Sequence, residues 1–415
     1  MKNSIPASHP DTTRNTRAGR PTNPGLRPWA SFELAATVTA AVLAVSTVYA
    51  GAEGPRVVKN PYSDIEWGEV KAYRANFHSH TVISDGRAEP GELIHLYADA
   101  GYHILALSDH DNGYNHREGE RDLRETYIHR DDRDRVPTSE TTWPWTRWID
   151  EKPTKIWVYG GIESSAFYPD LGEEGMLAVR GAELSSSPHI SSLFNRCGWP
   201  DHDRTDDDRL SCVEKHGGLA FWAHPTHYVP GGPWEDRFFD EQTWEEAVEF
   251  FGHYIAEYDS LLGFEMNVHD VHGGRVDRDR ELFDRLLERY YREHDIFIEG
   301  SDDNHGTRVA EDATLTLVLA SELTEDAVRH ALKNGHTFVG PRAESYPRFN
   351  GIEVDDDAQT ISLDIDNHDK IRWIRDGRDH ATGSVLDYSE IEDAMVRFEI
   401  DLDGATFYSQ GFYIR

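Results

Sequence analysis

From about residue 70, short apolar runs end, one after another, on histidines and carboxylates. Ala75-Asn76-Phe77 runs into His78-Ser79-His80 and then Ser84-Asp85-Gly86. Ile104–Leu107 runs into Ser108-Asp109-His110-Asp111. Leu177-Ala178-Val179 leads to Gly181-Ala182-Glu183, with His189 beyond. Leu219–Trp222 leads to Ala223-His224-Pro225, and Gly263-Phe264 leads to Glu265. Ile296–Ile298 leads to Gly300-Ser301-Asp302-Asp303-Asn304-His305-Gly306, and Thr314–Leu319 is a further apolar run. Short continuous runs of this kind fit parallel strands covered on both faces.

Helical patterns lie between the runs. Pro90–Ala100 opens on Pro and is followed by Gly101, the usual asymmetry of helix ends. Thr243 precedes Glu246 by three, as in a capping box, and Trp244, Ala247, Val248, Phe251 and Ile255 follow at helical spacing. Arg280–His294 repeats the pattern, and Thr324–Asn334 ends at Gly335. Such alternation predicts an α/β class, either a barrel or a doubly wound sheet. Two segments interrupt it: 113–178, charged and Trp-bearing, and 190–216, polar and holding both cysteines. After about residue 345 the pattern becomes strands only, predicting a small C-terminal antiparallel β domain. The expected organisation is therefore 1–55, 56–345 with insertions at 113–178 and 190–216, and 346–415.

In a parallel barrel the C-terminal strand ends converge on one mouth. His78, His80, Asp85, His110, Glu183, His189, His224, Asp303 and His305 would then meet. Neutral imidazoles and carboxylates together suit Zn, Mn or Fe. His78 and His80, two apart on extended chain, point to the same side. A carboxylate such as Glu183 can bridge two ions. Each motif alone has a blander origin: a surface His-x-His, a satisfied half-buried His110, an acidic turn at Ser301–Asp303. Their joint placement behind strands does not. His80 is expected to bind an ion and to pack against little else.

Taken together, His78-Ser79-His80, Ser84-Asp85-Gly86, Ser108-Asp109-His110 and Asp303-Asn304-His305-Gly306 resemble the signature of the PHP (polymerase and histidinol phosphatase) superfamily. With Gly181-Ala182-Glu183, His224-Pro225 and Glu265, the chain is similar to the CehA/McbA-type metallohydrolases over roughly residues 70–415. The resemblance implies a distorted (β/α)7 TIM-like barrel with two or three divalent metal ions (Zn, Mn or Fe). It implies the same nine residues as ligands and phosphoesterase chemistry, with carbamate or aryl ester hydrolysis in some relatives. The long segments 113–178 and 190–216 depart from the family pattern and leave the substrate open.

The expected reaction is attack by a metal-activated hydroxide on phosphorus or on a carbamate carbonyl, without a protein nucleophile. The expected partner is a small-molecule phosphate or carbamate ester. Asp109 is expected to orient an imidazole from behind the ligands. His227 is expected either to protonate a leaving group or to lie at the surface. A non-catalytic metal- or anion-binding module is the alternative of another class.

Charge narrows the setting. The 415-residue chain carries 42 Lys and Arg against 76 Asp and Glu, a net charge of −34. Such a surface repels nucleic acid and anionic membranes. It fits either a high-salt source, where charge is screened within a few ångströms, or an acidic mesophile. Residues 1–30 are polar with Lys2, Arg14, Arg17, Arg20 and Arg27, and Leu34–Ala50 is uncharged and mostly apolar. This reads as an export signal cleaved after Val48-Tyr49-Ala50, or retained as an anchor in contact with the membrane. In an exported protein Cys197 and Cys212 are either a disulfide or two separate thiols.

Overall fold

The computed structural model describes residues 54–81, 84–88, 90–111, 172, 175–195, 197–198, 204–234, 242–268 and 276–415, with the backbone of three two-residue strands between 148 and 168. In chain order, β1 is Val57–Lys59, β2 Lys71–Asn76, α1 Pro90–Asp99 and β3 Ile104–Leu107. The short strands are β4 (Trp148–Ile149), β5 (Lys152–Pro153) and β6 (Phe167–Tyr168). Next come β7 (Met176–Leu184), β8 (Ile190–Leu193), α2 (Asp206–Lys215), β9 (Leu219–Trp222), α3 (Trp244–Glu257), β10 (Leu261–Glu265) and α4 (Val276–Tyr290). Then follow β11 (Phe297–Glu299), β12 (Thr314–Ala320), α5 (Glu325–Asn334) and β13 (Thr337–Pro341). The remaining strands are β14 (Arg348–Asp355), β15 (Thr360–Asp366), β16 (Lys370–Arg375), β17 (Arg378–Thr382), β18 (Val385–Asp387), β19 (Ala394–Leu402), β20 (Ala405–Ser409) and β21 (Phe412–Ile414).

β2, β3 and β7 pair in parallel, as do β9, β10 and β11. β8 lies antiparallel between β7 and β9, so both groups run in one direction and their C-terminal ends share one edge. That edge carries the histidines and carboxylates. β12 pairs antiparallel with both β2 and β13. Thr314–Leu319 is thus buried as expected but runs the other way. Burial on both faces leaves the same apolar run whichever direction the strand takes. Between the segments after β2 and β11 the described pairing is one parallel bridge, Ser79 with Asn304, reinforced by the His80 amide donating to the Asn304 carbonyl at 2.9 Å.

Segment 190–216, expected as an insertion, supplies β8 and α2 of this layer instead. β8 escapes the apolar signal because Ser191 and Ser192 are buried polar residues. The Ser192 hydroxyl is satisfied by the Ala182 carbonyl at 3.0 Å. Cys197 and Cys212 form a disulfide that ties the chain after β8 to α2. The segments 1–53 and 113–171, including the apolar stretch 34–50 and all but the strand backbones of the Trp-bearing insertion, lie outside the described residues. Among the described residues no helix is long and apolar enough to cross a membrane.

The helix ends follow their local chemistry. Thr243 accepts the Glu246 amide at 3.2 Å, but the Glu246 carboxylate reaches back to the Gln242 amide at 3.1 Å, one residue short of a full capping box. α4 starts at Val276, a turn before the expected Arg280, with Asp277 and Asp279 favourably placed in its first turn.

From Arg348 to Ile414 the chain forms strands and turns only. β14, β15 and β18 form their own sheet. β20 pairs with β13, and β21 with β1 and β19. Trp373, Phe398, Phe407 and Phe412 share one apolar cluster with Leu315, Leu317 and Phe338. Arg397 on β19 is buried and bonds Asp284 of α4 through two nitrogens, at 2.7 and 3.0 Å.

Candidate metal centre

The strand ends are laced together by short side chains. Asn76 donates to the His78 carbonyl at 2.9 Å and accepts the Asp302 amide at 3.0 Å. The Phe77 amide bonds the Ser301 hydroxyl at 2.9 Å. The Ser79 amide bonds the Ser108 hydroxyl at 2.9 Å, and the Glu183 amide bonds the Ser108 carbonyl at 2.9 Å. These bonds carry the pairing past the strands proper and fix where the next side chains emerge.

Asp109 does this for the turn after His80. Its Oδ1 accepts from the Thr81 amide (2.8 Å), the Ser84 amide (3.1 Å) and the Ser84 hydroxyl (2.6 Å), and its Oδ2 from the Thr81 hydroxyl (2.8 Å). The expected bond to an imidazole is replaced by these. Asp109 acts at one remove, since the Ser84 hydroxyl it holds sits 3.2 Å from Nδ1 of His80. Gly86 closes the turn onto the Thr81 carbonyl, and a Cβ there would lie 2.3 Å from the His80 carbonyl oxygen. Only glycine permits that approach.

The expected ligands converge. His80, Asp85, His110 and His305 bring donor atoms within 4.8 Å of one another; so do His78, Glu183 and His224; His78, His80 and Asp303; and His110, Glu183 and His189. Nε2 of His78 and Nε2 of His80 are 3.0 Å apart. Asp303 Oδ1 lies 3.3 and 3.0 Å from these two nitrogens, and Glu183 Oε2 lies 3.4 and 3.3 Å from them. Two triangles of donors therefore share the His78–His80 edge. An ion with ligand bonds of about 2.0–2.1 Å in tetrahedral array spaces its donors by roughly 3.3 Å. Glu183 Oε2 also meets His110 at 2.8 Å, while Oε1 meets His189 at 2.6 Å and His224 at 3.0 Å. Its two oxygens thus face different groups of imidazoles, as a bridging carboxylate requires. Asp85 reaches His80 (3.4 Å), His110 (3.4 Å) and His305 (3.2 Å). This donor set fits divalent metal ions.

Electrostatics point the same way. Burial opposes charge on His78, but Glu265, Asp303 and Glu183 outweigh it and hold its pKa well above the ordinary value. His110 is raised well above its usual value in the same manner, against burial, by Glu183 and Asp85. His305 is raised to about 9, against burial, by Asp303 and Asp85. His189 goes the other way, to about 4, because burial prevails over Glu183. Burial also disfavours the charged forms of Glu183 and Asp303, but the surrounding imidazoles hold both well below the ordinary carboxylate range. The carboxylates demand positive charge here, and without metal the imidazoles supply it as protons. Metal uptake at neutral pH should therefore release protons, and the His305 share of that release should fade as pH rises through about 9. Calorimetric titrations with Zn or Mn in buffers of different ionisation enthalpy measure this number directly. No proton release at pH 7 would contradict the arrangement.

Several contacts around the ligands come from the fold. Glu265, a strand-end carboxylate outside the expected ligand set, sits 2.5 Å from Nδ1 of His78 and orients that ring. Ser185 holds Nδ1 of His110 at 2.8 Å. Tyr97 of α1 donates to Asp302 at 2.5 Å, one residue from Asp303. His224 (φ 32°) and Asp303 (φ 44°) both adopt left-handed backbone, which costs a non-glycine residue about 1–3 kcal/mol and concentrates at functional sites. His80 is fully buried, not lightly packed, with its ring 4.1 Å from that of His305 and 4.6 Å from that of His110. His227 is buried too, which removes the surface role. Its ring stacks on His224 at 4.6 Å, and Trp234 meets it edge-on at 4.6 Å.

No protein-family model matches the chain. No curated protein matches it. Among solved structures it is similar to a two-domain protein from Bacteroides vulgatus ATCC 8482 containing a predicted PHP-like metal-dependent phosphoesterase. The two are 18% identical with a TM-score of 0.43, over 83% of this chain and 95% of that one.

Proposed function

We propose that this protein is a metal-dependent hydrolase of PHP type, acting as a phosphoesterase at the shared strand edge of a distorted (β/α)7 barrel. The observation that carries the reading is Glu183, whose two oxygens face separate imidazole groups within 3.4 Å. Two or three ions (Zn, Mn or Fe), when bound, supply Lewis acidity and lower the pKa of water toward neutrality. His78, His80, Asp85, His110, Glu183, His189, His224, Asp303 and His305 hold them, with Glu265 and Ser185 fixing ring orientation. His78, His80, Glu183, His224 and Asp303 are buried, which keeps bulk water from competing for them. His227, stacked on His224, hands a proton to the leaving group.

Trp234 favours a second reading on the same site. Its ring lies 5.7 Å from His224 and 6.5 Å from His189, an aromatic wall suited to an aryl ester or carbamate. A panel of phosphomonoesters, phosphodiesters and aryl carbamates, run at high salt with Mn and Zn, separates the two. Turnover confined to phosphorus esters supports the first reading, and turnover confined to aryl carbamates the second. No turnover of any ester with either metal would remove the hydrolase reading and leave a binding module.

We also read the protein as exported, with residues 34–50 as signal or membrane anchor. The Cys197–Cys212 disulfide supports an oxidising compartment. The net charge of −34 supports a high-salt setting and a small-molecule partner over nucleic acid.

A further inference from the structure

A second group of metal donors stands apart from the strand edge. His330 lies one turn before the end of α5 and His336 just past it. Gly335 between them caps the helix in left-handed conformation (φ 71°) and turns the chain back. The His336 amide then bonds the Ala331 carbonyl at 2.8 Å, which brings the two imidazoles to 5.3 Å between ring centres. Asp64 reaches them from the turn after β1. That turn is anchored by buried Tyr62, stacked on Phe338 at 5.2 Å. Asp64 Oδ1 is 2.8 Å from Nε2 of His336, and Oδ2 is 3.4 Å from Nε2 of His330.

We propose that Nε2 of His330, Nε2 of His336 and the Asp64 carboxylate form a separate zinc site. All three donors lie within 4.8 Å of one another. Two imidazoles and a carboxylate with a fourth position open to water is a common zinc arrangement. The 3.4 Å spacing matches tetrahedral donors, and the 2.8 Å one needs about half an ångström of opening. Asp64, 55% exposed, has room to give it. His336 is buried, with its Nε2 facing Asp64.

The site is independent of the first centre. The Leu319 amide bonds the His336 carbonyl, and Leu319 pairs with Ala72 near the start of β2. His78 follows Ala72 by six residues along the same strand direction, roughly 20 Å away at about 3.3 Å per residue. An ion here would staple the N-terminal turn at 61–65 to the end of α5.

The test counts zinc. Full-length protein is stripped with chelator and dialysed against graded free zinc, and bound metal is measured by mass spectrometry. His330→Ala and Asp64→Asn alter exposed side chains, so both variants should fold. Each is expected to bind one zinc fewer per chain than wild type at saturation. Cobalt substitution should show a matching loss of tetrahedral visible absorption. Because the readout is a difference between proteins, it holds whatever number of ions the His78–His305 centre takes. Equal zinc counts in wild type and both variants would overturn the proposal.

Discussion

Glu183→Gln is expected to lower hydrolysis by at least about a thousandfold and to release bound metal, with the fold retained. Glu183 faces His78, His80 and His110 with one oxygen and His189 and His224 with the other. Glutamine keeps the volume but loses the charge and one acceptor. Its NH2 would point at imidazole nitrogens that must stay unprotonated to bind an ion. The charge that holds His78 and His110 above their ordinary pKa would weaken at the same time. The measurements are metal content per chain, turnover of the preferred ester at matched salt, and circular dichroism as the folding control. A folded variant with wild-type metal content and near-normal turnover would show that Glu183 bridges nothing.

Arg397→Ala should cost about 3–5 kcal/mol of unfolding free energy, because it strands the half-buried Asp284 and takes one partner from the buried Glu399. Arg397 bonds Asp284 at 2.7 and 3.0 Å and Glu399 at 2.6 Å. Glu399 keeps Arg280 at 2.9 Å and Arg372 at 2.7 Å, so Asp284 suffers most. The pair joins α4, whose Leu282, Phe283 and Leu286 share an apolar cluster with Trp222 and Phe264, to β19 of the C-terminal strands. Urea unfolding at constant salt reads the change. A loss below about 1 kcal/mol would mean that the pair behaves like a solvated surface bridge.

Much of the site was legible because its signals are local. Alternation places His78 and His80 on one side, and both rings do meet, with Nε2 atoms 3.0 Å apart. Thr324, Gly335 and Thr243 mark helix ends through caps formed within a few residues. The shift to strands after residue 345 follows from two-residue periodicity, which needs no partner to be read. Less visible was β8, because Ser191 and Ser192 are buried by hydrogen bonding and by the neighbouring centre instead of by apolar character. Asp109 reaches His80 only through Ser84, because its partners are a turn of backbone amides and hydroxyls that the residue order does not distinguish from an imidazole.

What the sequence alone determined is which atoms are on offer: imidazoles and carboxylates behind apolar strands, on a chain whose periodicities set helix, strand and side. Periodicity reports burial and face, which are properties of a few neighbouring residues. Tertiary structure decided the rest. It set β8 and β12 antiparallel, turned His224 and Asp303 into left-handed backbone, brought Glu265 onto His78, closed the Cys197–Cys212 disulfide and drew Asp64 to His330 and His336. Apart from the β7–β8 hairpin, those pairings join residues from 15 to 272 positions apart. They are selected by the collective packing and hydrogen bonding of the whole sheet, a quantity that no local pattern contains.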